Sequence, residues 1–160
     1  MKDDQKKTIT ILMADDDQDD CLLVRKAFEA SRLANDLRFV EDGEELMVYL
    51  HHRGKYSDAL TAMRPGLILL DLNMPRKDGR EALKEIKADS GLREIPVVVL
   101  TTSKDEEDIL RSYNLGANSY ITKPVTFEGL VDVMKSLGKY WFEIVELPCE
   151  AKDESTAKGT

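Results

Sequence analysis

The sequence predicts an α/β fold: a doubly wound (βα)5 domain with one five-stranded parallel sheet and helices on both faces. Three observations carry that prediction. Five short apolar runs alternate with five segments whose apolar residues recur at helical spacing. The run Leu67-Ile68-Leu69-Leu70 is apolar throughout, as a strand covered on both faces must be. Carboxylates, hydroxyls or an ammonium group stand just past four of the runs, where parallel sheets of this kind bind their ligands.

The elements follow in order. Residues 9–14 read as a buried strand, and 19–30 as a helix with Leu22, Leu23, Ala27 and Phe28 expected on one face. Residues 37–40 form a short strand. Residues 43–50 form a helix that turns Leu46, Met47 and Leu50 inward. Residues 67–70 are the most apolar stretch and hence the expected central strand. Residues 79–88 carry Ala82, Leu83 and Ile86 at helical spacing. Residues 96–100 form a strand, because proline is tolerated at a first strand position. Residues 105–115 form a helix that Gly116 stops. A short strand at 119–121 leads to the last helix, from 127 to about 146. Its inward residues are Leu130, Val133, Met134, Leu137, Trp141 and Ile144. Strands joined by helices run parallel, with right-handed crossovers. The long connection 51–65 is expected to hold a short helical turn around Leu60, Ala62 and Met63. The expected boundaries are a flexible N-terminus at 1–7, one domain at 8–147 and a disordered polar tail at 148–160.

Composition narrows the function. With 160 residues the chain can bury one full core. A composition of 42% hydrophobic and 34% charged residues predicts a soluble, cytoplasmic protein. The formal charge of −8 excludes non-specific nucleic-acid binding, which needs a basic face. The apolar runs are strand-sized and too short to span a membrane, and the polar start lacks a signal-peptide core. Cys21 and Cys149 sit in no metal-binding or redox spacing, so both read as reduced thiols without a role.

The acid run Asp15-Asp16-Asp17-Gln18-Asp19-Asp20 is the first candidate site. Asp17 or Asp19 is expected to cap the following helix. Capping occupies one carboxylate, whereas three consecutive ones at a strand end repel each other. A bound cation relieves that repulsion, and oxygen-only donors without His or Cys favour Mg²⁺. Alternation along the extended chain sends Asp15 and Asp16 in different directions, so one ligates directly and the other through water. Asp71 stands at the mouth of the expected central strand. Asp78 is the next helix's own cap candidate, which leaves Asp71 free. A metal-bound carboxylate can attack a phosphoryl donor and become an acyl phosphate. In-line transfer needs positioning and charge neutralisation. Lys123 offers a compact cation for the phosphoryl group, and Thr101 and Thr102 offer hydroxyls. The Lys123–Pro124 bond is a candidate cis peptide, because a cis X-Pro bond in a tight turn aims the preceding side chain.

Taken in order, these residues resemble the receiver domain of bacterial response regulators, the CheY-like family with its flavodoxin-like sheet. The resemblance covers residues 8–145. It rests on Ile11-Leu12-Met13-Ala14-Asp15-Asp16-Asp17, on 67–75 with Asp78-Gly79, on Val97-Val98-Val99-Leu100-Thr101-Thr102, and on 116–124. It implies that Asp71 is the phosphoacceptor and that Asp15 and Asp16 are the acid pair, with Asp16 the direct Mg²⁺ ligand. It further implies a ligand in the backbone carbonyl of Asn73, phosphoryl contacts from Thr101 and Lys123, and a switch aromatic in Tyr120. The connection before Arg64-Pro65, the stretch 72–81 and the ending 140–148 are similar to the phytochrome-associated, Rcp1-like single-domain regulators. That likeness implies a sensor histidine kinase, phytochrome-type in some members, or another phosphorelay protein as partner. Members of that group can pair as homodimers.

The resemblance implies an output by protein binding or onward phosphotransfer, since too few residues follow 145 for a DNA-binding module. Phosphorylation is expected to draw in Thr101 and Lys123 and to let Tyr120 move into the space that Thr101 leaves. Tyr140, Trp141 and Phe142 are consecutive and cannot all face one core, so one is expected to meet a partner or a second copy. Two other readings have the same architecture. An aspartyl-phosphate phosphatase wants a second acid two residues after its nucleophile, and position 73 is Asn. A flavin or nucleotide module wants a Gly-rich loop after the first strand, where this chain has acids.

Overall fold

A computed structural model describes residues 9–58 and 60–140. Five strands, β1 (Thr10–Ala14), β2 (Asp36–Val40), β3 (Leu67–Leu70), β4 (Val97–Thr101) and β5 (Ser119–Thr122), form one sheet in the order β2-β1-β3-β4-β5. All four pairings are parallel, and β3 is central as its composition predicts. Five helices alternate with them: α1 (Gln18–Ala30), α2 (Gly43–Leu50), α3 (Gly79–Ala88), α4 (Glu106–Asn114) and α5 (Phe127–Leu137).

Strand alternation divides the apolar side chains between two faces. Leu12, Ile68, Leu70, Val97 and Val99 meet α2 and α3 through Leu46, Met47, Leu50, Ala82, Leu83 and Ile86. Ile11, Met13, Leu67, Leu69, Val98 and Leu100 meet α1 and α5 through Val24, Ala27, Phe28, Leu130 and Met134. Each fully buried Leu or Ile contributes roughly 1.5–3 kcal/mol. Among the described residues, no helix is long and apolar enough to cross a membrane.

The inward stripe of α1 differs from the sequence expectation. Cys21, Val24, Ala27 and Phe28 are buried, whereas Leu22 and Leu23 are 51% and 42% exposed. Positions 21, 24 and 28 share one helical face with 27, and the two leucines flank it. Boundaries shift by a residue elsewhere. β2 begins at Asp36, and Thr101 belongs to β4. The last helix is described to Leu137, and its expected continuation through Trp141 and Ile144 lies outside the described residues. So do the expected N-terminal segment 1–7 and tail 148–160.

The 51–65 connection is packed down. A 3₁₀ turn spans Gly54–Tyr56, and near the expected helical turn the Thr61 and Ala62 N–H groups donate to the Asp58 carbonyl at 3.0 and 2.9 Å. Ala62 is fully buried, while Leu60 is 83% exposed. Tyr49 Oη donates to the Met63 carbonyl at 2.8 Å, and His52 Nε2 lies 2.8 Å from the Ala62 carbonyl.

The loop after β3 is held by a close backbone approach. Gly79 N–H donates to the Leu72 carbonyl at 2.9 Å, and Asp78 caps α3 in a reciprocal box with Glu81. A Cβ at position 79 would lie 2.1 Å from the Asp71 carbonyl oxygen and 2.7 Å from Leu72 Cα, so backbone must move to admit it. Gly79→Ala is expected to destabilise the fold by about 2–3 kcal/mol. Urea unfolding should show this as a lower midpoint at unchanged slope.

Candidate functional site

The carboxyl ends of β1, β3, β4 and β5 bring the expected residues to one corner. Asp15 follows β1, where its N–H donates to the Val40 carbonyl at 3.0 Å. Asp71 follows β3, where its N–H donates to the Ala14 carbonyl at 3.0 Å. These ladder bonds place the two carboxylates side by side. The acid run divides its labour. Asp17 is the cap of α1, with its Oδ1 accepting from the Asp19 and Asp20 N–H groups at 2.9 and 3.2 Å. Asp15 is fully buried, and its Oδ1 accepts the Asp17 N–H at 2.9 Å. Asp16 points to the exposed side.

One carboxylate oxygen each from Asp15, Asp16 and Asp71 lie within 4.8 Å of one another. Three hard anionic donors at that spacing, without nitrogen or sulfur, fit a divalent cation. Asn73 is exposed on the loop beyond Asp71, and its N–H lies 3.5 Å from Asp71 Oδ1.

Lys123 closes the corner. Its backbone N–H donates to the Thr101 carbonyl at 2.7 Å, continuing the β4–β5 ladder, so sheet register sets where the side chain begins. Nζ donates to Asp15 Oδ2 and Asp20 Oδ2, each at 2.6 Å, and lies 3.5 Å from Asp71 Oδ2. Asp20 is a partner of Lys123 that the sequence does not single out. Its signal was its place in the acid run one turn into α1, on the side that faces the end of β5. The expected cis Lys123–Pro124 bond is corrected: among the described residues there is no cis peptide. Trans is the intrinsically favoured form of an X-Pro bond, by roughly 0.5–1 kcal/mol.

Thr101 ends β4 fully buried, and its hydroxyl has no hydrogen-bond partner. Thr102 is exposed, one residue further along the alternation. Tyr120 is partly buried in β5. Its hydroxyl donates to the Ser103 carbonyl at 3.0 Å, and its N–H donates to Tyr113 Oη at 3.1 Å. Cys21 lies under the site with its thiol pushed up to about 12 by burial and by the surrounding carboxylates, which leaves it unreactive.

Both partners in the central ion pair move upward, for different reasons. Burial drives the Asp15 carboxyl to about 6, against the pull of Lys123, and the neighbouring Asp71 adds to the rise. Burial alone would lower the Lys123 ammonium, but its bonds to Asp15 and Asp20 and the charge of Asp71 outweigh this and raise it. A cation must displace the Asp15 proton below about pH 6, so acid weakens binding. Titration calorimetry with Mn²⁺ is expected to show affinity roughly tenfold lower at pH 5 than at pH 7.

Residues 11–135 match the response regulator receiver domain family. The chain is 40% identical to response regulator Rcp1 of Synechocystis sp. over 148 residues, covering 92% of this chain and 99% of that protein. The crystal structure of the phosphorylated cyanobacterial phytochrome response regulator RcpA superposes with a TM-score of 0.82 at 43% identity, over 89% of this chain and 99% of that one. The Mn²⁺-bound form of Rcp1 gives 0.80 at 41% identity, over 88% and 99%. The chain belongs to the response regulator receiver domain family.

Proposed function

We propose that Asp71 accepts a phosphoryl group from a sensor histidine kinase, with Mg²⁺ held by Asp15, Asp16, Asp71 and the backbone carbonyl of Asn73. The chain is a response regulator, a signalling protein of a two-component phosphorelay and not a metabolic enzyme. The observation that carries the site assignment is the meeting of three carboxylates within 4.8 Å, beside an ammonium and a buried hydroxyl that has no partner.

The residues divide the chemistry. When bound, Mg²⁺ supplies charge neutralisation for the acid cluster and for the incoming phosphoryl oxygens. An Asp71 carboxylate oxygen attacks phosphorus, a P–O bond forms, and the P–N bond to the kinase histidine breaks with its electron pair leaving on the imidazole. Lys123, 3.5 Å from Asp71, gains a dianionic partner. The Thr101 hydroxyl gains the acceptor that it lacks. Thr102 serves as an outer hydroxyl for the same group. Tyr120 answers the movement of Thr101 and reports the state on the face of α4, β5 and α5.

The partner docks beside Lys123. Leu23 and Pro124 line a cleft there with Asp20 and Leu130; Leu23 is 42% exposed, and Val125, which follows Pro124, is 98% exposed. An apolar rim around a charged acceptor suits a helical phosphodonor domain. A phytochrome-type kinase is the partner we favour, since solved relatives are phytochrome response regulators. We also propose pairing with a second copy through the groove lined by Ile121, Val133, Leu137 and Tyr140. A relay fed from ATP works in the cytoplasm, and we assign the chain there. The phosphatase reading lacks its second acid, because position 73 is Asn.

Phosphoramidate labelling with Mg²⁺ tests the assignment. Asp71→Asn is expected to lower incorporation at least about 100-fold, and chelation of the cation to abolish it. Labelling of Asp71→Asn at the wild-type level would sink the reading. Thr101→Val is expected to stabilise the unphosphorylated chain by about 1 kcal/mol, because it removes a buried orphan hydroxyl. The same change should shorten the lifetime of the phosphorylated form, as read by urea unfolding and by label decay.

A further inference from the structure

α4 is seated differently from the other helices. Ser112 is its one buried residue, and that hydroxyl has no hydrogen-bond partner. Leu110 and Tyr113 are 64% and 47% exposed. Hydrophobic burial therefore holds α4 weakly.

Its N-terminal end is held by polar contacts instead. Arg80, in the first turn of α3, donates from Nε to Asp108 Oδ1 at 2.9 Å and from Nη2 to Asp108 Oδ2 at 2.8 Å. This is a two-pronged ion pair between α3 and α4. The same guanidinium reaches back toward the site. Its Nη1 donates to the carbonyl of Leu72, the residue after Asp71, at 3.4 Å, and lies 3.6 Å from Asp78 Oδ2. On the other side, Asp108 Oδ2 accepts the Ser103 hydroxyl at 2.8 Å. The Ser103 carbonyl accepts the Tyr120 hydroxyl at 3.0 Å. A continuous path thus runs from Leu72 through Arg80, Asp108 and Ser103 to Tyr120. It passes through neither Thr101 nor Lys123.

We propose that the Arg80–Asp108 pair is a latch through which the loop bearing Asp71 positions Tyr120. Arg80 and Asp108 are positioning residues: they fix Ser103, and Ser103 fixes the Tyr120 hydroxyl. A shift of the backbone at Leu72 moves the guanidinium, and α4 follows because little apolar surface anchors it. The latch is a second route between acceptor and output face, parallel to the one through Thr101. Its signalling role rests on Asp71 as the phosphoacceptor, whereas its mechanical role does not.

The test uses the full, unphosphorylated chain, with hydrogen exchange of α4 amides and the backbone amide resonances of Ser103 and Tyr120. Arg80→Gln and Asp108→Asn are each expected to speed α4 exchange about tenfold and to move the Tyr120 resonance. The two side chains are 20% and 17% exposed, so neither change empties the core. The double variant should add nothing beyond either single change. Arg80→Lys should fail to restore protection, because it keeps the charge and loses the fork. Arg80→Gln and Tyr120→Phe should act non-additively on Ser103, which Arg80 does not touch and which a purely local role for the ion pair does not produce. Unchanged exchange and an unmoved Tyr120 resonance in both single variants overturn the latch, as does additivity with Tyr120→Phe. Either result leaves the labelling of Asp71 untouched, so the two assignments fail separately.

Discussion

The Lys123 ammonium, 2.6 Å from Asp15 and Asp20 and 3.5 Å from Asp71, is the contact on which this corner of the molecule depends. Asp15 is fully buried and Asp71 nearly so. Two such carboxylates side by side repel strongly and pay for desolvation without return unless a cation faces them. Removing one partner from a buried pair leaves an uncompensated charge, at a cost of about 3–5 kcal/mol. The sheet supplies the answer through its own ladder. The Lys123 backbone bonds to Thr101, and Asp71 bonds to the end of β1. The same hydrogen bonds that build the fold therefore set the charges in place.

That corner is satisfied only in part, and the unsatisfied part matches the chemistry proposed for it. Three carboxylate oxygens converge where one ammonium is near, and the Thr101 hydroxyl is buried without an acceptor. Both features weaken the unliganded protein. Both are relieved by adding a cation and an oxygen-rich dianion. Deviations from full satisfaction in an otherwise consistent fold concentrate where ligands act.

The helices are anchored unequally in a way that suits a signalling protein. α1, α2, α3 and α5 bury apolar stripes against the sheet. α4 buries one serine and leans on a polar network that begins beside Asp71 and ends at Tyr120. An element held by a few directional contacts can exchange one arrangement for another more readily than one locked in a close-packed core. Meanwhile α1 leaves Leu23 outside beside Lys123 and Pro124, which gives a partner an apolar approach to a charged centre.

Much of this was legible in the chain itself. Run lengths and alternation identified all five strands and five helices, and Asp17 and Asp78 were readable as caps because capping is a local affair of three or four residues. Parallel connectivity alone implies that Asp16, Asp71, Thr101 and Lys123 converge at one sheet edge. Tertiary packing decided the rest. It chose which α1 leucines face outward, because the stripe is set by the neighbouring sheet and α5. It recruited Asp20 to Lys123 across 103 positions of chain, and Arg80 to Asp108 across 28. Local sequence determines what each segment becomes and which chemistry it carries. Contacts between distant side chains depend on how finished elements meet, and no short window of sequence encodes that distance.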